Sequence, residues 1–153
     1  PVNGTGNGHL NIITGNSADN VLVGLGGVDR LRGCEGDDVL IGGSGRDQLR
    51  GGAGSDVFVL DIVNTNSTDT LQDFEMTRDK LAISATDSGL PAGFLDVSAF
   101  ETGASPSMAH AGLFFDDELR TLYWKDEGPD ADLMPIAVFK TAIDLDVTDF
   151  LIL

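Results

Sequence analysis

Between Gly6 and Val59 the apolar and polar positions of this chain repeat every nine residues without an insertion. Six units begin at Gly6, Gly15, Gly24, Gly33, Gly42 and Gly51, and the eighth position of each is apolar: Ile13, Leu22, Leu31, Leu40, Leu49 and Phe58. One inward apolar side chain per unit is how a solenoid assembles a core by stacking. The sixth position reads Asn11, Asn20, Asp29, Asp38, Asp47 and Asp56, and the fourth reads His9, Ala18, Gly27, Gly36, Gly45 and Gly54. A glycine with a carboxylate two residues later is a loop signal, so strands are expected around each eighth position and loops before them. A disordered glycine-rich linker has no reason to keep an apolar residue in phase through six units. From Leu60 the period stops, and alternating or irregular strand patterns take over.

Composition divides the chain at the same place. Of its 20 glycines, 15 precede residue 60, whereas residues 61–153 hold 18 of the 25 acidic side chains. The 153 residues suit one compact domain or two small units sharing a core. A net charge of −16, with only 9 basic residues, argues against nucleic acid or another phosphate-rich partner. It also requires something positive to offset the carboxylates. No run approaches the roughly 18 to 20 apolar residues of a membrane span, and no charged-then-apolar leader opens the chain. Pro1 in place of Met suggests a piece of a longer polypeptide. Cys34 is the sole cysteine, so no internal disulfide is possible, and a metal is the expected staple.

Residues Gly42-Gly43-Ser44-Gly45-Arg46-Asp47-Gln48-Leu49-Arg50 and Gly51-Gly52-Ala53-Gly54-Ser55-Asp56-Val57-Phe58-Val59 match the pattern G-G-x-G-x-D-x-U-x in full. The chain therefore resembles the RTX (repeats-in-toxin) calcium-binding repeats. The resemblance implies an all-β fold, a parallel β-roll with two nonapeptides per turn, followed by a carboxy-terminal β-strand cap. It also implies calcium between loops two units apart. Calcium takes six to eight oxygens at about 2.3 to 2.6 Å. On one side Asn11 would pair with Asp29 and Asp29 with Asp47; on the other, Asn20 with Asp38 and Asp38 with Asp56. Backbone carbonyls at Gly27, Gly36, Gly43, Gly45, Gly52 and Gly54 would assist, giving roughly four ions, weakest where Asn replaces Asp. Asp19 and Asp37, one position earlier, are expected to be solvated or to help their neighbours.

Alternate units then lie on opposite sheets, which makes the residues flanking the inward position informative. Val21/Val23, Val39/Ile41 and Val57/Val59 would form an apolar outer ladder, expected to be covered by residues after 60. Arg30/Arg32 and Gln48/Arg50 would form a basic face. That face is either solvated and balanced by the acidic second half, or a groove for an acidic polysaccharide, as in the similar repeat modules of alginate epimerases.

Asp69-Thr70-Leu71-Gln72-Asp73-Phe74 and Asp79-Lys80-Leu81-Ala82-Ile83-Ser84 resemble the segment that follows the repeats in RTX proteases. Asp69 and Asp73 are candidates for closing the last calcium site, and Asp79 is expected in a turn. Residues 94–103, 113–116 and 122–128 are similar to the carboxy-terminal cap of those proteins. Lys125 and Glu127 there replace the two aspartates of a D-x-D-G loop, which argues against calcium at that loop. Of Tyr123 and Trp124, which face opposite ways in a strand, at least one is expected in the core. The ending Asp149-Phe150-Leu151-Ile152-Leu153 resembles the uncleaved tail read by type I secretion machinery.

Catalytic motifs are not found. His9 and His110 lie a hundred residues apart, unlike a zinc-protease pair. Ser44 sits within a glycine loop rather than a nucleophile elbow, and Cys34 falls where its carbonyl rather than its thiol would matter. The expectation is a roll over residues 6–59 and a cap with secretion tail over 60–153. Together they would be a non-enzymatic, calcium-binding module attached to an upstream domain of a protein exported from a Gram-negative bacterium.

Overall fold

The computed structural model describes residues 2–62, 67–83, 93–94, 99–103, 111–125 and 132–153. The repeats form β1 (Gly4–Asn7), β2 (Ile12–Thr14), β3 (Val21–Gly27), β4 (Arg30–Glu35), β5 (Val39–Gly45), β6 (Gln48–Ala53) and β7 (Val57–Leu60). After them come β8 (Asp69–Leu71), β9 (Lys80–Ile83), β10 (Gly93–Phe94), β11 (Phe100–Thr102), β12 (Gly112–Asp116), β13 (Thr121–Lys125), β14 (Leu133–Phe139) and β15 (Phe150–Ile152).

Successive strands from β1 to β9 alternate between two sheets, ordered β1-β3-β5-β7-β9-β15-β10 and β11-β12-β13-β14-β8-β6-β4-β2. Parallel pairing sets Leu22 beside Leu40 and Leu31 beside Leu49, an offset of 18 residues, or two nonapeptides per turn. Each eighth-position side chain from Leu22 to Phe58 is thereby stacked on the next and fully buried. Burying one such side chain stabilises the roll by about 1.5 to 3 kcal/mol. At the first rung Gly4 pairs with Leu22, and a Cβ on Gly4 would stand 2.6 Å from the Ile13 methyl. The core narrows there because Ile13 fills the space itself.

The period ends near residue 60, but the stacking does not. β8 lies parallel on β6, with Leu71 beside Leu49, and β9 lies parallel on β7, with Leu81 beside Phe58. β14 and β15 then add to β8 and β9, again in parallel. An edge-to-face chain of rings, Phe58 to Phe74 at 5.8 Å, Phe74 to Phe139 at 5.5 Å and Phe139 to Phe115 at 5.8 Å, ties the last repeat to the cap. Trp124 is buried in this core while Tyr123 packs on Phe114 across the hairpin, so neighbouring strand residues do face opposite ways.

The outer valine ladder departs from expectation. Val23, Val39, Ile41, Val57 and Val59 are half-buried, Val21 is 39% exposed, and none belongs to the core cluster. Among the described residues the second half extends the sheets at their ends instead of layering over this face. His110, residues 95–98 and 126–128 of the cap segments, and Ser84 lie outside the described residues.

Candidate metal centre

The repeat geometry lines up the sixth-position side chains in two columns. On one side Asp29 Oδ1 accepts the Asn11 N–H at 2.7 Å, Asp47 Oδ1 that of Asp29 at 2.7 Å, and Asp69 Oδ1 that of Asp47 at 3.0 Å. On the other, Asp38 Oδ1 accepts the Asn20 N–H at 2.7 Å, Asp56 Oδ1 that of Asp38 at 2.9 Å, and Asp79 Oδ1 that of Asp56 at 3.1 Å. The structure therefore brings together the same 11/29/47 and 20/38/56 sets that the register implies, and lengthens each by one residue from beyond the repeats.

One oxygen of each carboxylate is thus spent on the backbone. The other, Oδ2 of Asp29, Asp38, Asp47, Asp56 and Asp69, is buried with no hydrogen-bond partner among the described residues. An unpaired buried carboxylate oxygen costs several kcal/mol, so these five, in two columns, call for neutralisation by a bound cation or by protons. The first glycine of each unit makes room for them: a Cβ on Gly33 would collide with Asp38 Oδ2 and stand 2.7 Å from the Gly51 carbonyl oxygen. Carbonyls crowd the same loops, with Leu25 O beneath Gly43, Cys34 O beneath Gly52, Gly27 O beneath Gly45 and Gly36 O beneath Gly54. Gly27, Gly36, Gly43, Gly45, Gly52 and Gly54 all hold positive φ, and Leu25 and Cys34 are forced into it at 80° and 100°.

This donor set, carboxylate plus carbonyl oxygen without nitrogen or sulfur, is that of a hard cation such as calcium. Among the described residues no three His, Cys, Asp or Glu side chains converge, so any ion here takes much of its shell from backbone.

Three of the four column ends are closed by hydrogen bonds, the exception being Asp69 with its unpartnered Oδ2. Asn11 and Asn20 present their Oδ1 where the aspartates present Oδ2, but these accept the Asn7 N–H at 2.7 Å and the Asn16 N–H at 2.8 Å. Asn7 and Asn16 in turn close Asx turns onto the His9 and Ala18 amides, each at 3.0 Å. Asp79 ends the second column with Oδ2 accepting the Glu75 N–H at 2.8 Å. Asp73 stands apart from the columns: Oδ1 accepts the Gly51 N–H at 3.0 Å and Oδ2 pairs with Arg50 Nε at 3.2 Å. Asp19 and Asp37 are exposed and brace neighbouring loops, accepting the Asp37 and Ser55 N–H groups.

The sequence places Asp79 in a turn, which it closes by donating its N–H to Glu75 O at 2.8 Å, but does not reveal that Asp79 is also buried and in the column. Its signal was an acidic residue immediately before an apolar strand, as Asp56 stands before Val57, obscured because the offset widens from 18 to 23 residues. Burial raises the pKa of Asp38, Asp47 and Asp79, pushes Asp56 to about 6, and pushes Asp69 to about 8. Neighbouring carboxylates add to the burial effect at Asp56, where Asp79, Asp38 and Asp73 all repel the charge.

Residues 5–33 and 35–64 match the family model of the RTX calcium-binding nonapeptide repeat, in four copies. A search of curated proteins returns no match. Among solved structures, the AlgE6R3 subunit from the Azotobacter vinelandii mannuronan C5-epimerase has a similar fold, with a TM-score of 0.58 and 24% identity, over 97% of this chain and 82% of that one. Residues 5–33 and 35–64 are thus RTX calcium-binding nonapeptide repeats, and with its stacked loops and parallel sheets the chain has the fold of a β-roll.

Proposed function

We propose that this domain is a calcium-driven folding module of a larger exported bacterial protein, and that it does no chemistry of its own. The observation that carries the reading is the set of five buried, unpartnered carboxylate oxygens. Asp29, Asp47 and Asp69 on one side, and Asp38 and Asp56 on the other, would hold the ions with carbonyls of the glycine loops. The sites nearest Asn11 and Asn20 would be weakest. Residues 6–59 then act as the loading roll and 60–153 as its closure. Without calcium, burying these charges opposes folding and the glycine-rich backbone keeps its entropy. With calcium bound only to the folded form, binding energy becomes folding energy. A chain unfolded where calcium is scarce, and folded where it is abundant, suits passage through a type I exporter that reads the carboxy-terminal residues. Circular dichroism of the chain with calcium and then with chelator tests this: a β spectrum that needs calcium supports it, and one indifferent to chelator removes it.

A second reading has its own observation. Arg30, Arg32, Gln48 and Arg50 line one wall of a groove of about 590 Å³ on the outer face of β4 and β6, with Ile12, Thr14 and Gln72 beside them. Arg50 is paired with Asp73, but Arg30 and Arg32 have no ion-pair partner among the described residues. Similarity to part of a mannuronan epimerase suggests an acidic polysaccharide as the ligand. Titration with oligouronate in saturating calcium should give salt-sensitive binding that Arg30→Ala with Arg32→Ala abolishes; no binding would leave the folding role alone.

A further inference from the structure

The first two repeat units keep the register of the later ones but not their loop conformation. In units three to six the second and fourth positions are Leu25 and Gly27, Cys34 and Gly36, Gly43 and Gly45, and Gly52 and Gly54, and every one of them has a positive φ. Asn7 and His9 in unit one, and Asn16 and Ala18 in unit two, do not. Side chains shape those two loops instead. Asn7 Oδ1 accepts the His9 N–H at 3.0 Å and lies 3.2 Å from the His9 ring Nδ1, while Asn16 Oδ1 accepts the Ala18 N–H at 3.0 Å. An Asx turn of this kind mimics a backbone turn, so neither His9 nor Ala18 needs the left-handed conformation that glycine supplies at the same position of later units.

The change of turn aims a donor at the place of the ion. In unit three that place is bounded by Asp29 Oδ2 and the Gly42 carbonyl oxygen, the two oxygens that a Cβ on Gly24 would meet. The corresponding oxygens are Asn11 Oδ1 and Gly24 O in unit one, and Asn20 Oδ1 and Gly33 O in unit two. Asp29 Oδ2 has no partner among the described residues, but Asn11 Oδ1 accepts the Asn7 N–H at 2.7 Å and Asn20 Oδ1 accepts the Asn16 N–H at 2.8 Å. A carboxamide nitrogen cannot accept, so these backbone donors fix which end of each Asn faces the site. Asn20 Nδ2 also donates back to Asn16 Oδ1 at 3.3 Å, closing its loop on itself. Calcium is held by inward-facing oxygens. Here the side-chain oxygen is already taken by an N–H whose positive end stands in for the charge of a cation, so these two loops do not fit the ion that the register implies for them.

We propose that the first two units hold no calcium: in each, the second-position N–H takes the place of the ion, and loading begins at unit three. The proposal rests on the calcium reading above and is stricter than a weakened site, because the obstacle is the conformation of the loop and not only the missing charge of Asn. The roll is thereby divided. Units one and two, Gly6 to Val23, are tied by their own amides, and ions tie the rungs from Asp29 and Asp38 onward.

Equilibrium dialysis of the full chain against radioactive calcium, at saturation, counts the bound ions. Asn11→Ala and Asn20→Ala should lose none. Asn20→Asp restores the charge without the turn and should gain none. Asn16→Gly, Ala18→Gly and Asn20→Asp together give unit two the glycines and carboxylate of unit six, and should add one ion. An ion lost by either alanine variant, an ion gained by Asn20→Asp alone, or a folded triple variant with no added ion overturns the proposal; if the triple variant does not fold, the single variants decide. Failure of the calcium reading looks different: a wild-type chain that binds no calcium removes both.

Discussion

At Gly33 a single methyl group would stand where the Asp38 carboxylate oxygen lies. Gly33→Ala must displace that oxygen or the Gly51 carbonyl, and both belong to the same loop stack. Calcium affinity, measured by titration calorimetry, should fall at least about tenfold, which is 1.4 kcal/mol; unchanged affinity would remove the carboxylate from the binding role. The opposite sign is expected at Cys34, which occupies a loop position where the equivalent Gly43 and Gly52 also have positive φ. Cys34→Gly should raise the unfolding free energy, read from urea curves in saturating calcium, by about 1 kcal/mol of relieved left-handed strain. The sixth-position side chains were legible in the sequence because a fixed period assigns each the same place in its turn. Asp69 and Asp79 reach that place after irregular intervals, so only the hydrogen bonds from Asp47 and Asp56 reveal it.

For the strands, the same distinction decides what could be read. β3 to β7 follow from the nine-residue period together with the two nonapeptides per turn that the resemblance implies, since an 18-residue turn fixes both register and sheet. Truncation within that ladder has a definite cost: Leu40→Ala leaves a cavity between Leu22 and Phe58, and should lower the unfolding free energy of the calcium form by about 2 to 5 kcal/mol. A denaturation curve showing less than 1 kcal/mol of loss, well under that of ordinary core truncations, would contradict the stacked core. β14 and β15 were not legible, because their parallel partners β8 and β9 lie more than sixty residues away and nothing local encodes such a choice. The valine ladder illustrates the limit of pattern reading. An apolar outer row implied a covering layer, yet the later strands prolong the sheets edgewise, where backbone groups of β6 and β7 required partners.

In the whole molecule the balance between calcium and protons sets stability. Asp56 and Asp69 titrate at about 6 and about 8 in the folded roll, against 3.8 for an ordinary aspartate, because burial disfavours their charge. A folded-state pKa raised above the unfolded value means that the folded form holds protons more tightly. Its contribution is full below about pH 4 and is lost as pH rises through 6 for Asp56 and through 8 for Asp69. Decalcified protein should therefore resist urea better at about pH 5 than at about pH 8.5, with Asp56 alone accounting for about 1 kcal/mol of that difference. Calcium reverses the order, since it binds only the ionised carboxylates and must displace those protons. In excess calcium the urea midpoint should be higher at the alkaline end, and calcium affinity should drop as pH falls below 6. Whole-chain repulsion works in the same direction: a net charge of −16 at pH 7 diminishes toward the isoelectric point near 4.1, easing compaction without the ion. Parallel urea curves at the two pH values, with and without calcium, check both signs together. The same ordering in both sets would mean that protons and calcium do not compete for these buried oxygens.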